Sequence, residues 1–201
     1  MGSVRPIFDL EITHMARFRD IPQFPTAHYE VDVGWRYVED ILTTWGDTCG
    51  GKMGGLDLSP IYQREHVWER TQQVAYVEYI LRGGEVGKNI IWNSPDWGGS
   101  YRRTTELVDG KQRLEAVRAF LRDEYRAFGH LYSDFTDRLP IGLGFKFRVC
   151  QIEDEVGILD LYLNINAGGT PHKPEELDRV RKLRDEAIAR RDARGLPPRH
   201  I

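Results

Sequence analysis

Apolar residues along the chain fall into segments of distinct period. From Trp35, the positions Val38, Ile41, Leu42 and Trp45 recur at helical spacing and predict a helix that runs to the glycine-rich stretch between Gly46 and Gly55. Leu56-Asp57-Leu58 reads as a short extended segment leading to Pro60. A second helix begins near Thr71 as N-cap, carries Val74, Val77, Ile80 and Leu81 inward, and stops at Gly83-Gly84. Asn89-Ile90-Ile91-Trp92 reads as a buried strand, whereas Asn93 to Thr104 holds turn formers without an apolar period and reads as a loop.

The second half follows the same logic. Leu107-Val108 is a short apolar run, Asp109-Gly110 breaks it, and Leu114, Val117, Phe120 and Leu121 then define a helix. Phe145, Phe147 and Val149 alternate with Lys146 and Arg148, which predicts a strand with one buried and one wetter face. Val156, Leu159 and Tyr162 predict a helix ending near Asn166, and Leu177, Val180, Leu183 and Ile188 a last helix beyond Pro171. Strands and helices without strict alternation favour an α+β domain, a small mixed sheet with flanking helices, over a doubly wound sheet. Residues 1–28 contain Pro6, Pro22 and Pro25 with no sustained period and read as an extended N-terminal arm. Residues 29–185 form the domain, and 186–201 a basic helix end and tail.

A length of 201 residues bounds the core to one substantial domain or two small ones, and 40% hydrophobic with 29% charged residues is an ordinary globular balance. The formal net charge of -3 excludes a uniformly basic nucleic-acid binder but leaves room for a local basic face. No apolar run approaches the roughly 20 residues that span a bilayer, and the N-terminus lacks the apolar block of a signal peptide, so a cytoplasmic protein without a membrane partner is expected. Cys49 and Cys150 are too few for a disulfide framework, and no Cys or His spacing suits zinc.

Three polar clusters interrupt the apolar pattern at element junctions, where binding groups are commonly displayed. In Asp109-Gly110-Lys111-Gln112-Arg113, Asp109 could bind Mg²⁺ or activate a hydroxyl, Gly110 lets the backbone approach a ligand, and Arg113 could clamp a phosphate at a helix N-terminus. The helical projection puts Arg113 about 60° from the apolar face and Lys111 nearer solvent, so Arg113 is the better pocket residue. The alternative is structural: Asp109 caps the helix and Arg113 pairs with a surface carboxylate. In Tyr62-Gln63-Arg64 an aromatic ring and an arginine share one side of an extended segment, which suits a base and a phosphate, or else Tyr62 fills the core with Trp68 and Arg64 makes an ion pair. Asn166-Ala167-Gly168-Gly169-Thr170 closes a helix and could also wrap ligand oxygens. Arg102-Arg103 in the loop before the central motif, and the terminal helix with Arg181 and Arg184, could meet a nucleic-acid backbone; an ion-paired solvated helix is the alternative for the latter.

Together these clusters resemble the N-terminal domain family of GmrSD-type restriction systems, which has a ParB/sulfiredoxin-like fold. The residues that carry the resemblance are Pro60-Ile61-Tyr62-Gln63-Arg64 with Val67-Trp68, then Val108-Asp109-Gly110-Lys111-Gln112-Arg113-Leu114, then Asn166-Ala167-Gly168-Gly169-Thr170-Pro171 with Glu176-Leu177. The likeness spans residues 30 to 185. Ile61 stands where the family often has an acid, Lys111 where it has a glutamine, and His172 where it has a leucine.

The resemblance implies a nucleotide-binding, Mg²⁺-dependent phosphohydrolase acting on or beside DNA. It assigns Asp109, Gln112 and Arg113 to catalysis, with Asp109 also the metal ligand, and Tyr62, Gln63, Arg64, Gly110, Lys111, Asn166, Gly168, Gly169 and Thr170 to the nucleotide. In such systems the domain is joined to or partnered with an HNH nuclease; no His-Asn-His pattern occurs here, so a separately encoded nuclease subunit is the expected partner. Two other readings stay open: a phosphotransferase acting on a hydroxyl of a small molecule or a modified base, and a non-catalytic, nucleotide-gated DNA-binding adaptor.

Overall fold

The computed structural model describes residues 29–50, 55–65, 67–99, 102–166 and 174–195, the side chains of 47–50 and 174 excepted. Its elements run β1 (Tyr29–Gly34), a 3-10 turn (Trp35–Tyr37), α1 (Val38–Gly50), β2 (Leu56–Asp57), α2 (Arg70–Leu81), β3 (Asn89–Asn93), β4 (Thr105–Asp109), α3 (Lys111–Leu121), a 3-10 turn (Tyr132–Asp134), β5 (Gly144–Cys150), α4 (Glu155–Asn166) and α5 (Pro174–Ala193). The strands form one mixed sheet in the order β1-β5-β3-β4-β2. β1 and β5 are antiparallel, as are β3 and β4, whereas β5 and β3, and β4 and β2, run parallel. The α+β class expected from the pattern is the one observed.

Alternation places the two faces. Phe145, Phe147 and Val149 of β5 join Ile90 and Trp92 of β3 and Leu107 of β4 in one apolar layer, covered by Val38 and Leu42 of α1, Val77 and Ile80 of α2, and Leu114, Val117 and Phe120 of α3. Val108, one residue on from Leu107, points the other way, into a second layer with Val156, Leu159 and Tyr162 of α4 and Val180 and Ala187 of α5. The wetter face of β5 is confirmed: Arg148 is paired directly across from Glu30 and donates to it at 2.6 Å, and Lys146 lies opposite Asp32.

Several details differ from the pattern-based expectation. β1, with Val31 and Val33 alternating against Glu30 and Asp32, has no counterpart in it. The N-cap of α2 is Glu69, not Thr71, because Glu69 N–H donates to Gln72 Oε1 at 2.9 Å, and that glutamine lies three residues on, where a capping partner reaches back. α5 runs from Pro174 to Ala193. The N-terminal arm expected at 1–28 lies outside the described residues. No helix among the described residues is long and apolar enough to cross a membrane.

Candidate functional site

β4 ends at Asp109, and the chain turns into α3 through Gly110, whose φ of 105° is left-handed. A Cβ there would lie 2.5 Å from Ile90 Cδ1 and 3.3 Å from Ile90 Cα, so β3 runs too close beneath for any side chain. Gly110, at the N-cap of α3, contributes no side-chain cap. The residues that carry its first backbone N–H groups, Gly110 to Arg113, line a cavity of about 630 Å³ together with Gln63, Arg64, Asp109 and Asn166. The fold therefore gathers members of all three sequence clusters into one pocket.

Within it, Arg113 Nη2 donates to Asp109 Oδ2 at 2.5 Å, one helical turn back, so Asp109 is neither a cap nor distant from the arginine. Arg64 reaches Glu176 of α5 at 3.9 Å. The Gln63 side chain donates to Leu107 O, while its own carbonyl accepts from Arg179 Nη2 at 3.0 Å; that nitrogen also holds Ile61 O at 2.9 Å. Asn166 Nδ2 donates to Tyr162 O at 2.7 Å. Gly168, Gly169 and Thr170 lie outside the described residues.

Lys111 is a correction. It is 9% exposed, not on the solvent side, and its Nζ donates to Ser59 Oγ at 2.9 Å with Glu65 at 3.9 Å. A helical projection measures a residue against the sheet, and misses the segment after Pro60 that folds over the first turn of α3.

Gln112 lines the cavity but is only 8% exposed, and its amide is engaged with the backbone opposite. Its Oε1 accepts from Val67 N at 2.9 Å and Trp68 N at 3.0 Å, and its Nε2 donates to Glu65 O at 3.1 Å. Gln112 thus fixes the wall that carries Arg64 and Trp68.

Tyr62 is a second correction. Its ring is buried in the second apolar layer, 5.3 Å between centroids from Tyr162, and its hydroxyl donates to Glu106 Oε2 at 3.0 Å. It borders a different cavity, of about 820 Å³, shared with Arg102 and Arg103. Burial, with the Glu106 carboxylate beside it, pushes the Tyr62 hydroxyl far up, and burial likewise raises the Glu106 carboxyl. The extended reading that put Tyr62 and Arg64 on one side does not hold: the chain turns after Pro60, Gln63 N–H donating to Pro60 O at 2.8 Å, so Tyr62 points away while Gln63 and Arg64 line the pocket.

The basic candidates separate from the pocket as well. Arg103 Nη2 donates to Glu153 O at 2.8 Å, and the backbone N–H of Arg102 is held by Asp96 at 2.7 Å. On α5, Arg181 pairs with Asp178 at 2.6 Å, and Arg184 with Asp160. The ion-paired helix is the reading that α5 fits.

Sequence reasoning did not single out Tyr76 and Tyr79, which line the pocket from α2. The signal was their spacing: each precedes by one residue a member of the buried Val77/Ile80 pair, about 100° around the helix, and so lies on its flank. Tyr76 donates to Gly87 O at 2.9 Å and packs on Trp68 with centroids 5.4 Å apart.

Arg64, Lys111, Arg113 and the Asp109 carboxylate thus surround the strand-to-helix turn of an α+β domain. The family described as GmrSD restriction endonuclease, N-terminal domain, matches residues 49–142 of the chain. No curated protein and no solved structure matches the chain.

Proposed function

We propose that this pocket binds the phosphates of a nucleoside triphosphate and hydrolyses it, in a protein of ParB-like kinship that works within a DNA restriction system. The observation that carries the reading is the convergence of Arg64, Lys111, Arg113 and the start of α3 on one cavity that also holds Asp109. Anions are favoured at such a helix start, and a guanidinium can clamp phosphate oxygens in two-pronged fashion. Arg113 grips the phosphates and Lys111 adds charge beside them. Asp109, released from Arg113 as the anion takes over that guanidinium, orients the attacking water.

Mg²⁺ fits this arrangement on the chemistry of the donors. Among the described residues no group of three or more His, Cys, Asp or Glu could cage a metal, but Mg²⁺ ordinarily sits on one or two carboxylates plus substrate phosphates. Asp109 is the carboxylate that would hold it, and the ion would neutralise charge on the transferring phosphoryl group. The family description, the N-terminal domain of a restriction endonuclease, supports the DNA setting and a nuclease domain as partner.

The test is to incubate the protein with each NTP and Mg²⁺, with and without plain or modified DNA, and follow phosphate release, phosphate transfer and strand cleavage together. Asp109→Ala and Arg113→Ala abolish turnover and leave the fold intact. Full activity in both variants would sink the site assignment. Phosphate appearing on an acceptor would make the protein a phosphotransferase, and binding without turnover a nucleotide-gated adaptor.

A further inference from the structure

The ring expected to stack a base, Tyr62, faces away from the pocket, yet the pocket has another aromatic at its mouth. Tyr79 is 43% exposed and lines the cavity, but it is not loose. Its hydroxyl accepts a hydrogen bond from Val86 N at 3.1 Å, and its ring lies across Gly84 so closely that a Cβ there would be 2.4 Å from two ring carbons. A glycine therefore allows the ring to lie flat, and a backbone amide locks its far end. The next residue, Gly87, abuts the phosphate-site arginine: a Cβ at Gly87 would lie 3.5 Å from Arg113 Cδ.

An exposed aromatic pinned at both ends, in one cavity with a guanidinium, suits a ligand with an aromatic ring at one end and phosphate at the other. We propose that Tyr79, laid over Gly84, is the stacking platform for the base of a nucleoside triphosphate whose phosphates sit at Arg113. The proposal rests on the nucleotide reading above and adds what recognises the base. Stacking is sequence-tolerant, because every base has a π-face, so the platform accepts several bases and favours the larger purines.

The experiment titrates the full chain with ATP, UTP and inorganic tripolyphosphate by calorimetry, in wild type, Tyr79→Ala, Tyr79→Phe and Gly84→Val. The wild type binds ATP more tightly than UTP and both more tightly than tripolyphosphate. Tyr79→Ala weakens ATP by roughly 5- to 150-fold, the range for loss of one base–aromatic stack, and leaves tripolyphosphate unchanged. Gly84→Val, which keeps Tyr79 but displaces its ring, does the same, whereas Tyr79→Phe retains most of the affinity. ATP binding to Tyr79→Ala at wild-type strength, or equal losses for ATP and tripolyphosphate, overturns the platform while the phosphate site stands. Failure of the wild type to bind either ATP or tripolyphosphate overturns the nucleotide reading itself, and the platform with it.

Discussion

The side-chain oxygen of Gln112 accepts a hydrogen bond from the backbone N–H of Trp68, and a second from Val67. A residue at the start of α3 thereby holds the opposite wall of the pocket. Gln112→Leu leaves three backbone groups without their partner and costs about 2 kcal/mol, read by urea unfolding. The freed wall also exposes Trp68, shifting tryptophan emission to the red. Unchanged stability and emission would mean that the wall stands without the hook.

Gly110 and Gly98 separate backbone strain from crowding. Both have positive φ, but a Cβ at Gly98 meets nothing within 4 Å, whereas one at Gly110 strikes Ile90. Gly98→Ala costs about 1 kcal/mol for its left-handed backbone, and Gly110→Ala about 2–3 kcal/mol, as β3 must also move. Thermal or urea unfolding of the pair gives the difference; equal costs would disprove the close approach of β3.

Asn93 behaves as an extra rung of the sheet. Fully buried at the end of β3, it donates through Nδ2 to Ile152 O at 3.1 Å and accepts at Oδ1 from Ile152 N at 2.8 Å. Asn93→Ala strands both buried backbone groups and lowers stability by about 2–3 kcal/mol. Hydrogen exchange at Ile152 accelerates in the same variant, and an unchanged rate there would refute the rung.

Glu106 sets a pH dependence. Its carboxyl is raised above the ordinary 4.5 by burial, then by the Asp57 charge, against the lowering pull of the Tyr62 hydroxyl. A carboxyl raised in the folded state prefers its proton there, so its stabilisation is full below the unfolded value and is lost as pH rises through the folded one. Glu106→Gln, neutral at every pH, removes that loss. The difference in unfolding free energy between wild type and variant therefore moves in the variant's favour from pH 4 to pH 7, and a flat difference would show that Glu106 is not desolvated.

Helices were legible where one face is apolar, and so were strands where alternation meets a turn. α3 and β5 are the clearest cases, with Leu114, Val117 and Phe120, and with Phe145, Phe147 and Val149, all buried as the pattern required. β1 escaped notice although Glu30-Val31-Asp32-Val33 alternates, because its pairing with β5 joins residues more than 100 positions apart. At the site, residue type and junction position found Asp109, Gly110, Arg113, Gln63 and Arg64, since strand ends and helix starts are local features. The orientations of Lys111, Gln112 and Tyr62 were not legible. Each depends on how residues 59–65, 67 and 68 meet α3 and α4, which no local period encodes.

The segment that carries the family match, 49–142, contains neither β5, α4 nor α5. In the sheet, β5 is the strand that joins β3 to β1, and α5 supplies Arg179, whose guanidinium pins Ile61 and Gln63. Cut out alone, the matched segment would bare Ile90 and Trp92 along an open β3 edge, a template for aggregation, and would lose the clasp on its own signature motif. The segment that carries the match is thus smaller than the sheet and helices that enclose the pocket, which run from β1 through α5.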